Sequence, residues 1–360
     1  MARKKRVLVG MSGGVDSSAT AALLKKRGYD VIGFTLQLLP KEQETTSACC
    51  NLGAVHDAKR VAAKLNIPHY ILNIRDSFKH HVIDYFVDSY LEGMTPNPCV
   101  ECNRHIKFDA LMEKARELDA DFVATGHYLR RVYNPHTKQY MMKTAYDGNK
   151  DQSYFLYMLT QETLRQTLFP LGKFTKPQIR QMATEWGLIN ANKADSQEIC
   201  FVTAGTYRQY VEENKGQRPI EKGFIVDMSG TILGQHDGIH RFTIGQRKGI
   251  GIAAPEPLYV VGIDAKERRV TVGPRDSLKS HEIQVGKWTT VNPQENLLSR
   301  TFDIKTRYQM TGIKATITAV SDTTLTMQFF APQTFQSPGQ SAVMYDKDRI
   351  VGGGVIQTAS

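Results

Sequence analysis

The 360-residue sequence predicts an α/β protein: a parallel sheet with helices on both faces, followed by short strands that suggest a small all-β domain or barrel. Three observations predict it. The buried apolar run Val7-Leu8-Val9-Gly10 feeds a Ser-Gly-Gly loop that opens an Ala-rich helix ending near Gly28. Strand and helix patterns then alternate to about residue 128. After about residue 204 glycine becomes frequent and the apolar runs turn short and β-rich. The division expected is 1–204, 205–280 and 281–360.

Each element has its own signal. Asp30–Leu36, His69–Ile74 and Asp121–Gly126 read as further strands. Val55, Ala58, Val61, Ala62 and Leu65 recur at helical spacing, as do Phe78, Val82, Tyr85, Phe86 and Leu91, and a further helix is expected from about Lys107 to Leu118. Pro40–Asn51 and Met94–Asn103 break the pattern and read as loops near strand ends, where function concentrates. A hairpin is expected over Arg130–Lys143, turning at Asn134–Thr137. Thr175 reads as an N-cap with Gln178 three residues on, starting a helix that stops near Gly187. Tyr154 and Phe155 read as core. From about residue 281 the strands alternate cleanly: Lys314–Val320, Thr324–Phe329, Ser341–Tyr345 and Ile350–Ile356.

A strand, a glycine loop and a helix start together form a phosphate-binding device. Backbone N–H groups of Ser12 to Asp16 can point at an anion, and the helix N-terminus adds partial positive charge. Gly13 and Gly14 let the backbone approach closely. No lysine follows the loop as in the Gly-x-x-x-x-Gly-Lys pattern. The string Ser12-Gly13-Gly14-Val15-Asp16-Ser17 resembles the pyrophosphate loop of the ATP pyrophosphatases, which cleave ATP between the α and β phosphates and adenylate an acceptor oxygen.

Composition bounds the function further. The net charge of +10 fits a polyanionic partner such as nucleic acid. No apolar run approaches a membrane span, and the stretch after the basic Met1–Arg6 is too short for a signal peptide, so a cytoplasmic protein is expected. Five cysteines, Cys49, Cys50, Cys99, Cys102 and Cys200, argue for chemistry or metal binding rather than a disulfide framework.

Ordered strings along nearly the whole chain are similar to those of the tRNA-specific 2-thiouridylases. They are Gly10–Ser18, Thr95-Pro96-Asn97-Pro98 with Cys102-Asn103 and Ile106-Lys107-Phe108, Thr125-Gly126-His127-Tyr128, Lys150–Phe155, Ile199-Cys200-Phe201 and Arg307-Tyr308. The resemblance implies ATP-dependent 2-thiolation of the wobble uridine of tRNA, with release of AMP and pyrophosphate. It implies a Rossmann-like nucleotide domain (adenine nucleotide alpha hydrolase-like), a small central domain and a C-terminal β-barrel. Cys200 would carry a persulfide and Cys102 would resolve it, leaving a Cys102–Cys200 disulfide. ATP, with Mg2+, would be bound by Gly10, Met11, Ser12, Gly13, Gly14, Val15, Asp16, Ser17, Leu36 and Gly126, with Asp16 also catalytic. Asn97, Pro98 and Cys99 would face the target base. His127, Lys150, Asp151, Gln152, Arg307, Tyr308 and Gln340 would touch the tRNA. The partners implied are the tRNA anticodon arm and a persulfide-delivering relay protein or cysteine desulfurase, with no membrane.

One position departs from the family pattern. Many members carry an acidic residue where Cys99 stands, and here Cys99 and Cys102 form a Cys-x-x-Cys. A second reading therefore makes Cys99, Cys102 and Cys200 ligands of an iron–sulfur cluster that carries the sulfur. Cys49 and Cys50 could add to it or bind zinc. Two further alternatives are an ATP pyrophosphatase acting on a small metabolite and a non-catalytic RNA-binding module. The intact loop argues against the second. The first leaves the β-domain and the cysteines without a role.

Overall fold

The computed structural model describes residues 3–39, 52–195, 199–202, 205–334 and 336–359. The chain divides into two compact units, and it passes between them several times. The first comprises Met1–Val82, Cys99–Ala204 and Asp348–Val351; the second comprises Ile83–Pro98, Gly205–Lys347 and Gly352–Ser360.

The first unit opens with β1 (Arg6–Gly10), α1 (Val15–Lys26), β2 (Asp30–Gln37), α2 (Leu52–Lys64), β3 (His69–Asn73) and α3 (Arg75–Phe78). A π-helical turn, Lys79–Asp84, leads into α4 (Tyr85–Leu91). The chain returns through α5 (Pro98–Glu101), a second π-helical turn (Cys102–Phe108) and α6 (Asp109–Glu117). Then come β4 (Phe122–Ala124), the hairpin β5 (Arg130–Asn134) and β6 (Gln139–Lys143), α7 (Gln161–Gln166), β7 (Thr167–Leu168) and α8 (Lys176–Glu185).

The sheet runs β3-β2-β1-β4-β7, with every pairing parallel. Successive residues of a strand face opposite ways. Val7 and Val9 therefore join one core with α1 and α2, while Leu8 joins another with Leu111 and Ala115 of α6. Burying each such side chain contributes about 1.5–3 kcal/mol, so β1, apolar on both faces, anchors the layered fold. From β1 the strand order proceeds outward in one direction to β2 and β3, and in the other to β4 and β7. The reversal falls between β1 and β4, and ligands of such sheets bind at the carboxyl ends of strands beside it. Gly10 and Gly126 stand there.

Helix α1 is buried almost all round, from Val15 through Leu24. Its alanines, serines and threonine are small enough to sit between neighbouring elements. The α8 start matches expectation: Thr175 accepts from the Gln178 N–H and the Gln178 side chain returns to the Thr175 N–H, a complete capping box.

Three expectations change. The helix expected over residues 78–91 is interrupted by a π-helical turn, and that expected over 107–118 follows another. An extra residue per turn has no signature in a 3.6-residue pattern. Pro98–Asn103, expected as loop, is helical, because proline at a first helical position loses no hydrogen bond. The Pro40–Asn51 stretch, with Cys49 and Cys50, lies outside the described residues.

The second unit holds α4, α9 (Tyr207–Asn214) and a four-stranded sheet of β8 (Gly223–Val226), β9 (Ile232–His236), β10 (Tyr259–Asp264) and β11 (Arg269–Gly273), in the order β10-β11-β8-β9. Then follow β12 (Lys279–Thr290), β13 (Thr301–Lys305), β14 (Ile313–Val320), β15 (Thr324–Thr334), β16 (Ser341–Asp346) and β17 (Arg349–Ala359). They run β12-β15-β14-β13-β16-β17, and β17 pairs back onto β12, closing a six-stranded barrel. Ile283 and Val285, Phe302 and Ile304, Ala315 and Ile317, and Leu325 and Met327 alternate inward and are buried.

Candidate active site

The loop after β1 is held from both sides. The Met11 N–H donates to the Phe34 carbonyl at 2.7 Å, and the Thr35 hydroxyl donates to the Met11 carbonyl at 2.7 Å. The Ser17 hydroxyl accepts from the Ser12 N–H at 3.1 Å and donates to the Gly14 carbonyl at 3.1 Å. Gly14 is the N-cap of α1 and offers no side-chain acceptor. The first N–H groups of the helix are thus left for an anion.

Gly13 is required twice over. Its φ is +72°, and a Cβ there would lie 2.2 Å from the Ala54 carbonyl oxygen. A side chain at Gly126 would lie 2.9 Å from the Asp16 carbonyl carbon and the Ser17 nitrogen, so β4 ends against the start of α1. The buried Asn190 amide donates to the Gly13 carbonyl at 3.0 Å and to the Ser18 hydroxyl at 2.8 Å. Leu36 lies near the carboxyl end of β2, beside Leu72 of β3.

Asp16 sits in a charged network. Its carboxylate accepts from the Tyr128 hydroxyl at 2.9 Å and from the buried Lys176 ammonium at 2.8 and 2.7 Å. Burial, then the Asp16 charge, pushes the Tyr128 phenol far up, so it stays a donor. Lys176 also reaches Asp195 at 2.8 Å, and Asp195 takes Lys150 at 2.7 Å and Arg180 at 3.2 Å. Burial opposes ionisation of Asp195, but hydrogen bonds from Lys150 and Lys176 outweigh it and hold its carboxyl below the usual range.

The residues expected to touch RNA are variously engaged. Lys150 is half-buried in its ion pair with Asp195. Asp151 is buried and accepts from the Ala145 N–H and the Ser153 hydroxyl. Gln152 accepts from the Tyr128 N–H, and its own N–H donates to the Tyr128 carbonyl. His127 meets the Thr125 hydroxyl at 2.9 Å and stacks near Phe108; burial, then Lys107, pushes its pKa well below the ordinary value. It is therefore neutral at physiological pH.

Cys99 is exposed on α5, Cys102 is buried at the start of the second π-helical turn, and Cys200 is half-buried. Phe201, next to Cys200, packs edge-on against Phe78 of α3, and α3 packs on the turn that begins at Cys102. Asn103 donates to the Phe155 carbonyl at 3.0 Å. Among the described residues no group of three or more His, Cys, Asp or Glu side chains is arranged to hold a metal ion. Cys99, Cys102 and Cys200 therefore do not gather as cluster ligands here.

In the second unit, Gln340 donates to the carbonyls of Thr95 and Pro96, just before Asn97 and the start of α5 at Pro98. Arg307 is exposed and Tyr308 half-buried, in the turn between β13 and β14.

Three family models cover the chain in order: a tRNA methyl transferase HUP domain over residues 5–204, a tRNA methyl transferase PRC-barrel domain over 209–274 and an aminomethyltransferase beta-barrel domain over 280–356. The chain is 46% identical to the tRNA-specific 2-thiouridylase MnmA of Acetivibrio thermocellus over 98% of its own length and 99% of the relative's. It is 46% identical to that of Clostridioides difficile over 99% of each chain. The chain belongs to the tRNA-specific 2-thiouridylase family. Lys176, Asp195, Tyr128 and Asn190 are the residues to which the sequence assigned no role. Each meets the loop or its network through the fold, and no local pattern announces such a contact.

Proposed function

We propose that the protein thiolates C2 of the wobble uridine of tRNA at the expense of ATP. The observation that carries this reading is the intact pyrophosphate loop at the sheet's reversal point, with Asp16 fixed by Tyr128 and Lys176. The name borne by full-length relatives supports thiolation over the methyl transfer in the names of the matching domain families, as do the loop and the cysteines.

The loop N–H groups bind the phosphates, and Mg2+ would be held by Asp16, since magnesium takes one or two carboxylates plus substrate phosphates. When bound, it would neutralise charge on the departing pyrophosphate. The uridine C2 oxygen attacks the α-phosphorus; an O–P bond forms, the bridge to the β-phosphate breaks, and pyrophosphate leaves. The terminal sulfur of a Cys200 persulfide attacks C2, and AMP leaves with the former C2 oxygen. The Cys102 thiolate then attacks the Cys200 sulfur, a Cys102–Cys200 disulfide forms, and sulfur stays on C2. An external dithiol supplies the two electrons that reopen the disulfide, and a persulfide donor, a relay protein or a cysteine desulfurase, reloads Cys200.

The resemblance assigns Asn97, Pro98 and Cys99 to the base, and Lys150, His127, Arg307 and Tyr308 to RNA contact. The +10 charge steers the polyanion. Among the described residues no helix is long and apolar enough to cross a membrane.

The test is stoichiometry in a single turnover with persulfidated protein and unmodified tRNA. We expect AMP, pyrophosphate and 2-thiouridine in equal amounts, and none of them from Asp16→Ala. ADP and phosphate as products would overturn the reading.

A further inference from the structure

The phosphate loop has no lysine of its own, yet one reaches it from another element. Lys176 opens α8, and its side chain is only 7% exposed. Its backbone is fixed: the Lys176 N–H donates to Asp147 at 2.9 Å, and the capping box of Thr175 and Gln178 sets the helix start. The ammonium lies 2.8 Å and 2.7 Å from Oδ1 and Oδ2 of Asp16, and 2.8 Å from Oδ1 of Asp195. An ammonium carries three N–H donors, and these three contacts use them all. Asp195 is held separately by Lys150 and Arg180.

We propose that Lys176 is a positioning residue of the nucleotide site, holding the Asp16 carboxylate in the orientation that Mg·ATP requires, with Asp195 as its counter-anchor. The proposal rests on the ATP reading above and deepens it. Asp16 has its backbone fixed by the helix start and by Gly126, but nothing in the backbone fixes its side-chain torsions. Without Lys176 one carboxylate oxygen keeps a single bond, from Tyr128, and the other is released. Asp16 would also lose this counter-ion and face the carboxylate of Asp195, which keeps Lys150 and Arg180, and like charges repel. Because every donor of Lys176 is committed, it acts on the nucleotide through Asp16 rather than by touching a phosphate. A planar guanidinium can also bridge two carboxylates, so arginine should restore part of the effect.

The experiment measures dissociation constants for Mg·ATP and for tRNA, with melting temperature alongside, on the full-length protein. The variants are Lys176→Met, Lys176→Arg, Asp16→Asn and the Lys176→Met/Asp16→Asn pair. We expect Lys176→Met to weaken Mg·ATP about tenfold or more, while tRNA affinity holds and Lys176→Arg recovers part of the loss. In the double-mutant cycle Lys176→Met should add nothing to Asp16→Asn, because both act at one carboxylate. Losses that multiply in the pair, or equal losses for Mg·ATP and tRNA, would overturn the proposal. If Lys176→Met does not fold, Lys176→Met/Asp195→Asn removes one carboxylate with the ammonium and carries the same measurement. A wild type that binds no Mg·ATP would refute the nucleotide reading itself. A wild type that binds it and a folded Lys176→Met that binds it equally would refute only the role of Lys176.

Discussion

Gln340 donates its side-chain amide to the carbonyl oxygens of Thr95 at 3.0 Å and Pro96 at 3.2 Å. The Thr95 N–H in turn donates to the Pro338 carbonyl at 2.8 Å, and Gly339, at a φ of +91°, leaves no room for a side chain against the Thr95 backbone. The turn before β16 therefore clasps the segment that leads into Asn97 and Pro98. A residue first assigned to RNA contact is engaged in shaping the neighbouring loop.

That relationship makes a prediction. Gln340→Ala should speed amide exchange at Thr95 and Asn97, and should lower the thiolation rate more than it lowers tRNA affinity. Gln340→Glu should do the same, since a carboxylate cannot donate to two carbonyls. Exchange measured by mass spectrometry, beside tRNA binding, checks this. Unchanged exchange with weakened binding would mean the side chain serves the RNA directly.

A second prediction concerns acid. His127 is held neutral by burial and by Lys107, with its pKa well below that of a free imidazole. Below about pH 6.5 the unfolded chain takes up a proton that the folded one refuses. Stability from this group is therefore complete above about pH 6.5 and declines as the pH falls toward the folded pKa. His69, His236 and His240 are depressed in the same direction, burial being the first cause of each. Melting temperature should fall from pH 7 to pH 5.5, and His127→Gln should flatten part of that slope. An identical slope in the variant would show that His127 takes up its proton alike in the folded and unfolded chain.

What the sequence disclosed and what it concealed divide along physical lines. The pyrophosphate loop, the Thr175–Gln178 capping box, the Arg130–Lys143 hairpin and the alternating barrel strands all rest on neighbours in sequence. Propensity and periodicity record those directly. Lys176 meets Asp16 across 160 positions, and Gln340 meets Thr95 across 245. Such contacts exist only once the chain has folded. The π-helical turns at Lys79–Asp84 and Cys102–Phe108 were hidden because they borrow helical composition while shifting its period. The Gly13 requirement lies between these cases. A Ser-Gly-Gly loop is legible, but the reason alanine fails there is the Ala54 carbonyl of α2.

The last prediction turns on the cysteines. The persulfide route needs Cys200 to carry sulfur and Cys102 to resolve it, so Cys102→Ser and Cys200→Ser should each be inactive. Cys99 separates that route from a cluster route. It is exposed on α5, three residues before the buried Cys102. As a bystander beside the base it can be replaced, and Cys99→Ser should keep most of the wild-type activity. As a cluster ligand it cannot, because serine is a poor substitute for a soft thiolate on iron. The measurement is anaerobic thiolation by Cys99→Ser, with wild type assayed for iron and for visible charge-transfer absorption. An active Cys99→Ser and an iron-free, active wild type would support the persulfide pair. An inactive Cys99→Ser that has also lost iron would make Cys99, Cys102 and Cys200 a metal site.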